Sequence, residues 1–162
     1  MIDKEKLLEI LEDNCSKPVE DIAIMLDCSV EEVSGAIDEL RAEGVILGFN
    51  ATVNWEKFGR ETVEALIEVH ITPQRDQGFD KIAERIYRFP EVKECYLMSG
   101  GYDLKVIVEG SSMREIAAFV TQKLSAVENV IGTGTHFVLK KYKEKGIIYA
   151  SGGTLDREAI VL

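Results

Sequence analysis

Between Thr62 and Leu139 the apolar period switches from two to about 3.6 and back again, and few folds accommodate that order of changes. Thr62 to Ile71 alternates, so Ala65, Ile67, Val69 and Ile71 share one face of a strand. A polar loop, Pro73 to Gly78, leads to an amphipathic helix carrying Phe79, Ile82, Ala83, Ile86 and Tyr87, which must end before Pro90. Val92 to Met98 and Tyr102 to Glu109 read as two strands. Ser99-Gly100-Gly101 joins them as a hairpin, since glycine supplies the positive φ that tight turns need. Met113 to Leu124 is a second helix, with Ile116, Ala117, Val120 and Leu124 on one side, and Val130 to Leu139 is a fourth strand. The order β-α-β-β-α-β predicts a ferredoxin-like domain whose two helices cover one sheet face. The other face is expected to be apolar and open, which favours covering by a second copy of the chain.

The first fifty residues follow a helical period throughout. Ile2, Leu7, Leu8, Ile10 and Leu11 mark a first helix over residues 3 to 13, with Asp3 as its N-cap. Pro18 suits the first turn of a second, short helix carrying Val19, Ile22, Ala23 and Leu26. After Asp27-Cys28-Ser29, the run Ser29-Val30-Glu31-Glu32 has the form of a capping box. A third helix continues through Val33, Ile37 and Leu40 and stops at Gly44, the residue expected in a left-handed C-terminal position. Three short helices with a tight link between the second and third form the layout of a helix-turn-helix. Val45 to Asn54 is β-rich with glycine and asparagine, and predicts a connecting strand or wing.

These patterns divide the chain into a helix-turn-helix over 1–50, a connecting strand or linker over 51–61, the ferredoxin-like domain over 62–145, and an edge strand with a tail over 146–162. Charge respects the same break. Residues 1–50 hold four basic and thirteen acidic residues, a net of −9, whereas the remainder holds fifteen and sixteen, a net of −1. The fold class is therefore α+β, two small domains in 162 residues, with 46% hydrophobic residues to fill their cores.

Several chemistries find no residues. Cys15, Cys28 and Cys95 stand in no metal-chelating or redox spacing, so no metal and no cofactor is expected. His70 and His136 lie within predicted strands without a ligand-spaced partner, and no serine occupies a nucleophile elbow. Gly132-Thr133-Gly134 sits inside a strand and cannot cradle phosphate. An enzyme is not expected. No apolar run reaches the roughly 18 residues of a membrane span, and Met1 to Lys6 has no signal-peptide core, so we expect a cytoplasmic protein.

The helix-turn-helix, the exit Glu43-Gly44-Val45-Ile46, the segment Leu97 to Leu104 and the strand Thr133 to Leu139 together resemble the Lrp/AsnC (feast/famine) family of transcription regulators, along nearly the whole chain and in the same order. The resemblance implies a winged helix-turn-helix joined to a RAM-type domain. It also implies dimers built by sheet-to-sheet packing, with tetramers or octamers of them, a small effector, usually an amino acid, and binding to double-stranded promoter DNA through the third helix. Carried over by position, Ser99, Gly100, Gly101, Tyr102 and Asp103 match the family's effector loop, and Thr133 and Thr135 its polar positions on the last strand. Amides left accessible by glycine can meet a carboxylate, and Asp103 can pair with an α-amino group. The same residues also suit an ordinary capped hairpin and an ordinary strand.

The expected DNA-facing residues are Lys17, Ser29, Ser34, Gly35 and Arg41, and here the chain departs from the family. Its third helix presents Glu31, Glu32, Asp38 and Glu39 where the family is more basic, although phosphate neutralisation supplies most non-specific affinity. Two readings follow. DNA is bound weakly per module, with Lys4, Lys6, Lys17, Arg41 and linked copies compensating. Alternatively, the chain is a metabolite-binding oligomer whose acidic N-terminal domain contacts a basic protein instead of DNA.

Overall fold

The computed structural model describes residues 2–72 and 78–149 and divides into two compact units, which part between Thr52 and Val53. The first unit contains α1 (Lys4–Asp13), α2 (Val19–Leu26) and α3 (Val30–Ala42). Leu7, Leu11, Ile22, Ala23, Val33, Ala36 and Leu40 form its core, one face contributed by each helix.

The caps explain where these helices begin and end. The Asp3 carboxylate accepts from the Lys6 amide at 3.1 Å. Pro18 stands one position outside α2 as its N-cap, with its carbonyl accepting from the amides of Asp21 and Ile22. Ser29 and Glu32 make the expected reciprocal capping box, at 3.2 and 3.1 Å. Gly44 adopts φ +72°, the left-handed conformation that ends α3. The sharp turn between α2 and α3 is made by Asp27 at φ 52°, a conformation that aspartate tolerates better than bulkier residues. The segment Val45–Asn54 carries no strand, contrary to expectation. It finds no β partner among the described residues, and its backbone instead closes onto Leu40, whose carbonyl accepts from the amides of Val45 and Ile46.

The second unit opens with an unforeseen single turn, α4 (Trp55–Phe58), capped by Asn54 and ended by Gly59 at φ +85°. The remaining elements are β1 (Val63–Ile71), α5 (Asp80–Tyr87), β2 (Val92–Leu97), β3 (Leu104–Gly110), α6 (Met113–Phe119) running into a π-helical turn at Val120–Leu124, and β4 (Val130–Phe137). The four strands form one antiparallel sheet in the order β2-β3-β1-β4. Of the loop expected at Pro73 to Gly78, residues 73–77 lie outside the described residues.

The core is as the alternation predicts: Ala65, Ile67 and Val69 of β1 are fully buried and face Ile82, Ile86, Ile116, Phe119 and Leu124 of the helices. Burial of a side chain of this size contributes roughly 1.5–3 kcal/mol. The opposite face corrects the expectation of an apolar surface. Cross-strand pairing puts Glu64, Leu66, Glu68 and His70 beside Glu109, Ile107 and Lys105 of β3, and beside His136, Gly134 and Gly132 of β4. Leu66 and Ile107 make an apolar centre there, with Tyr96 of β2 opposite Lys105; around them Glu64, Glu68, Lys105 and Glu109 carry charge, and the two histidines and two glycines of the face carry no apolar side chain. Past β4, the expected edge strand does not join this sheet. Lys143–Glu144 (β5) and Ile147–Ile148 (β6) pair only with each other, around Lys145 and Gly146, both at positive φ. The rest of the tail expected over 146–162, from residue 150, lies outside the described residues.

Candidate functional site

The loop between β2 and β3 is six residues, Met98 to Asp103, and Asp103 closes it at three points. Its carbonyl accepts from the Met98 amide at 2.8 Å, its amide donates to the Val69 carbonyl at 3.0 Å, and its Oδ2 accepts from the Ile71 amide at 2.7 Å. That last bond holds β1 where its pairing with β4 shifts register between His70 and Ile71. One carboxylate oxygen is thus committed to the fold, and Oδ1 has no partner among the described residues.

Gly100 and Gly101 are exposed and neither has positive φ, so the turn chemistry expected of them is not what the loop uses. A Cβ on either would meet nothing within 4 Å. What the two glycines leave is uncovered backbone: the amides of Ser99, Gly100, Gly101 and Tyr102 donate to no described atom. Backbone donors without a described partner, next in sequence to a carboxylate, offer counterparts to both ends of a zwitterion. Exposed Leu97 and Met98, at the start of the loop, give it apolar neighbours.

Thr133 and Thr135 lie on the far side of β1. Thr133 is opposite Val69, which on its other edge pairs with Leu104, the residue after Asp103. Two strand spacings, about 10 Å, therefore separate Thr133 from the loop. Thr135, opposite Ile67, is two residues farther along. A single copy does not bring the loop and both threonines into contact with one small molecule.

In the first unit, the outward row of α3 is Glu31, Ser34, Gly35, Asp38 and Arg41, all exposed and opposite buried Val33, Ala36 and Leu40. The Ser29 hydroxyl is engaged by its own capping box. Lys17 is half-buried and Arg41 exposed, and neither has an ion-pair partner among the described residues. Lys4 is less available: its ammonium lies 2.8 Å from Glu39, and that bond raises its pKa above the ordinary lysine value. The expectation of Lys4 as a phosphate contact is thereby weakened, since the pair joins α1 to α3 across 35 positions that no local pattern spans.

Among the described residues no group of three or more His, Cys, Asp or Glu side chains could hold a metal ion, and no helix is long and apolar enough to cross a membrane.

The family described as Lrp/AsnC ligand binding domain matches residues 64–148. The HTH-type transcriptional regulator YugG of Bacillus subtilis is 48% identical over 157 residues, covering 96% of this chain and 94% of that protein. The proline dehydrogenase transcriptional activator of Rhizobium radiobacter is 28% identical over 142 residues, covering 88% and 90%. Among solved structures, a transcriptional regulator–L-Met complex from Neisseria meningitidis has a TM-score of 0.71 at 22% identity, covering 89% of this chain and 94% of that one. Escherichia coli AsnC has a TM-score of 0.68 at 20% identity, covering 89% and 96%.

Proposed function

The chain belongs to the Lrp/AsnC family, and from that premise we propose that it is a DNA-binding transcription regulator, not an enzyme, whose response is set by an amino acid held at the loop Ser99–Asp103. The observation that carries this reading is the loop itself: the amides of Gly100 and Gly101 and the Oδ1 of Asp103 have no partner among the described residues, so both ends of an amino acid find a counterpart. Exposed Leu97 and Met98 favour an apolar side chain on the effector. The wide separation of Thr133 from the loop supports a site completed by a second copy.

Dimers are proposed to form through the open sheet face, with Leu66 and Ile107 at the centre of the contact, and dimers to associate into tetramers or octamers. Such a protein acts in the cytoplasm, where its DNA lies. On the DNA side, Lys17 and Arg41 supply phosphate contacts beside the α3 row, with Lys6 as a further exposed cation and Ser34 and Gly35 against the bases. Ser29 acts there through its backbone and cap, since its hydroxyl is occupied.

The test is capture of genomic fragments by the purified protein across a salt series, with and without methionine. Three phosphate contacts per copy in a dimer predict a slope of log affinity against log salt of about −5. The acidity of the first unit favours a second reading, in which it contacts a basic protein. Capture without enrichment of particular fragments, together with no salt dependence, would select that reading and remove the DNA role.

A further inference from the structure

A polar cavity lies at the end of the sheet away from the Asp103 loop. It is a cavity of about 160 Å³ within the second unit, walled by Trp55, Glu64, Glu109, Val138, Lys141 and Tyr149. Glu64 is six residues before His70 on β1, so the cavity is on the order of 20 Å from the Asp103 loop at about 3.4 Å per residue.

Its charges are unequally matched: Glu56, Glu64 and Glu109 line it against Lys140 and Lys141. Lys141 donates to Glu64 at 2.6 Å and to Glu144 at 2.9 Å, and the Tyr149 hydroxyl donates to Glu144 at 2.7 Å. Burial pulls the Lys141 ammonium toward its neutral form, but the two carboxylates outweigh that effect and hold it charged. Lys141 is therefore consumed by its neighbours. Glu109 is not: it pairs directly across β1–β3 with Glu64, like charge beside like charge, and has no side-chain partner among the described residues. A carboxylate opposite another costs free energy unless a cation joins them. The wall also provides the Trp55 indole, one face of which is taken by the Arg60 guanidinium at 4.9 Å and the rest of which is apolar surface, and the apolar side chain of Val138.

We propose that this cavity is a ligand site for a primary ammonium compound with a short aliphatic stem, distinct from the Ser99–Asp103 loop. An ammonium has three donors. The acceptors on offer are the Glu109 carboxylate, the second oxygen of Glu64 and the Tyr149 oxygen, which donates its proton elsewhere and keeps its lone pairs. The stem lies along Trp55 and Val138.

The site and the loop separate by ligand chemistry, because the loop needs a carboxylate for its amides and this cavity does not. Calorimetric titration of the full chain with isopentylamine and, separately, with leucine resolves the two sources of an ammonium. Isopentylamine is expected to bind the native chain, to bind about tenfold or more weakly to Glu109→Gln through the lost charge-assisted bond, to weaken likewise with Trp55→Ala, and to be unaffected by Asp103→Asn. Glu109→Gln preserves shape on a half-exposed position, and its circular dichroism and light scattering should match the native chain. Three results overturn the site: no heat with isopentylamine at millimolar concentration, unchanged binding in Glu109→Gln, or a loss of binding that accompanies a changed subunit number, which would assign Glu109 to a contact between copies. Leucine binding lost in Asp103→Asn with amine binding intact would uphold both sites.

Discussion

Asp103 does two jobs that a pair of substitutions can pull apart. Its Oδ2 accepts from the half-sheltered amide of Ile71 at 2.7 Å, and its charge is proposed to meet an effector's ammonium. Asp103→Ala removes the acceptor and leaves that amide unsatisfied, which costs about 1–3 kcal/mol. Asp103→Asn keeps an acceptor of the same shape while removing the charge, so about 1 kcal/mol or less should be lost. With a urea dependence of about 2 kcal/mol per molar, the alanine variant should unfold about 0.5–1.5 M earlier and the asparagine variant within about 0.5 M of the native chain. Trp55, the single tryptophan, lies in the second unit, so its fluorescence follows the half that contains the loop. Methionine binding by calorimetry should fall about tenfold or more in both variants, because both lose the charge. Native-like methionine affinity in Asp103→Asn would refute the effector role. Native-like stability in Asp103→Ala would refute the clamp.

Gly35→Ala should stabilise the first unit by about 0.5–1 kcal/mol, because the residue sits inside α3 with nothing within 4 Å of the added Cβ; a urea melt followed by circular dichroism checks it, and a destabilised unit would contradict it. For pH, the Lys123 ammonium beside Glu91 holds that carboxyl below its ordinary value of 4.5. A depressed carboxylate contributes stability above that ordinary value and loses it as pH falls through the folded-state value. Glu91→Gln should therefore flatten the acid limb of stability against pH below 4.5 and leave its shape near neutrality unchanged; an unaltered acid limb counts against the pairing.

What could be read from sequence was whatever depends on period and on local caps. The inward row Ala65, Ile67, Val69 and Ile71, the Ser29–Glu32 capping box and the left-handed Gly44 each rest on residues close in sequence, and each is present. Features set by distant partners were not legible. The polar character of the open face is not legible because alternation marks only the inward side of a strand, and in sequence Glu64, Glu68 and Lys105 are simply the residues between apolar positions. The Val45–Asn54 run has strand composition but no partner strand, and β composition without pairing does not make a strand. At Gly100 and Gly101 the turn chemistry expected from sequence does not operate: both avoid positive φ, and what they leave is amides with no described partner. The Lys4–Glu39 pair and the Lys141 network join residues 35 and 77 positions apart, beyond the reach of any local pattern.

The acidity of the first unit gives the sheet face a consequence for DNA. With thirteen acidic and four basic residues in the first fifty, and Lys4 drawn to Glu39, one helix-turn-helix meets the duplex with few free cations. Screening over about 8 Å at physiological salt confines the repulsion to carboxylates near the backbone. Ser34 and Gly35 leave the middle of the α3 row uncharged, and Glu31 or Asp38 can accept from the cytosine amino group. Single-module affinity on those terms is weak, whereas linking modules raises it by about 10²–10⁴ without a new contact. Leu66→Asp is the decisive perturbation. It places a charge at the centre of the open sheet face, opposite Ile107, in a unit that holds none of the residues proposed to face DNA. Light scattering should report smaller assemblies, and binding to captured fragments should drop by about 10²-fold or more. An assembly that dissociates while DNA affinity stays at the native level would mean that each helix-turn-helix suffices alone, and the charge argument would fail.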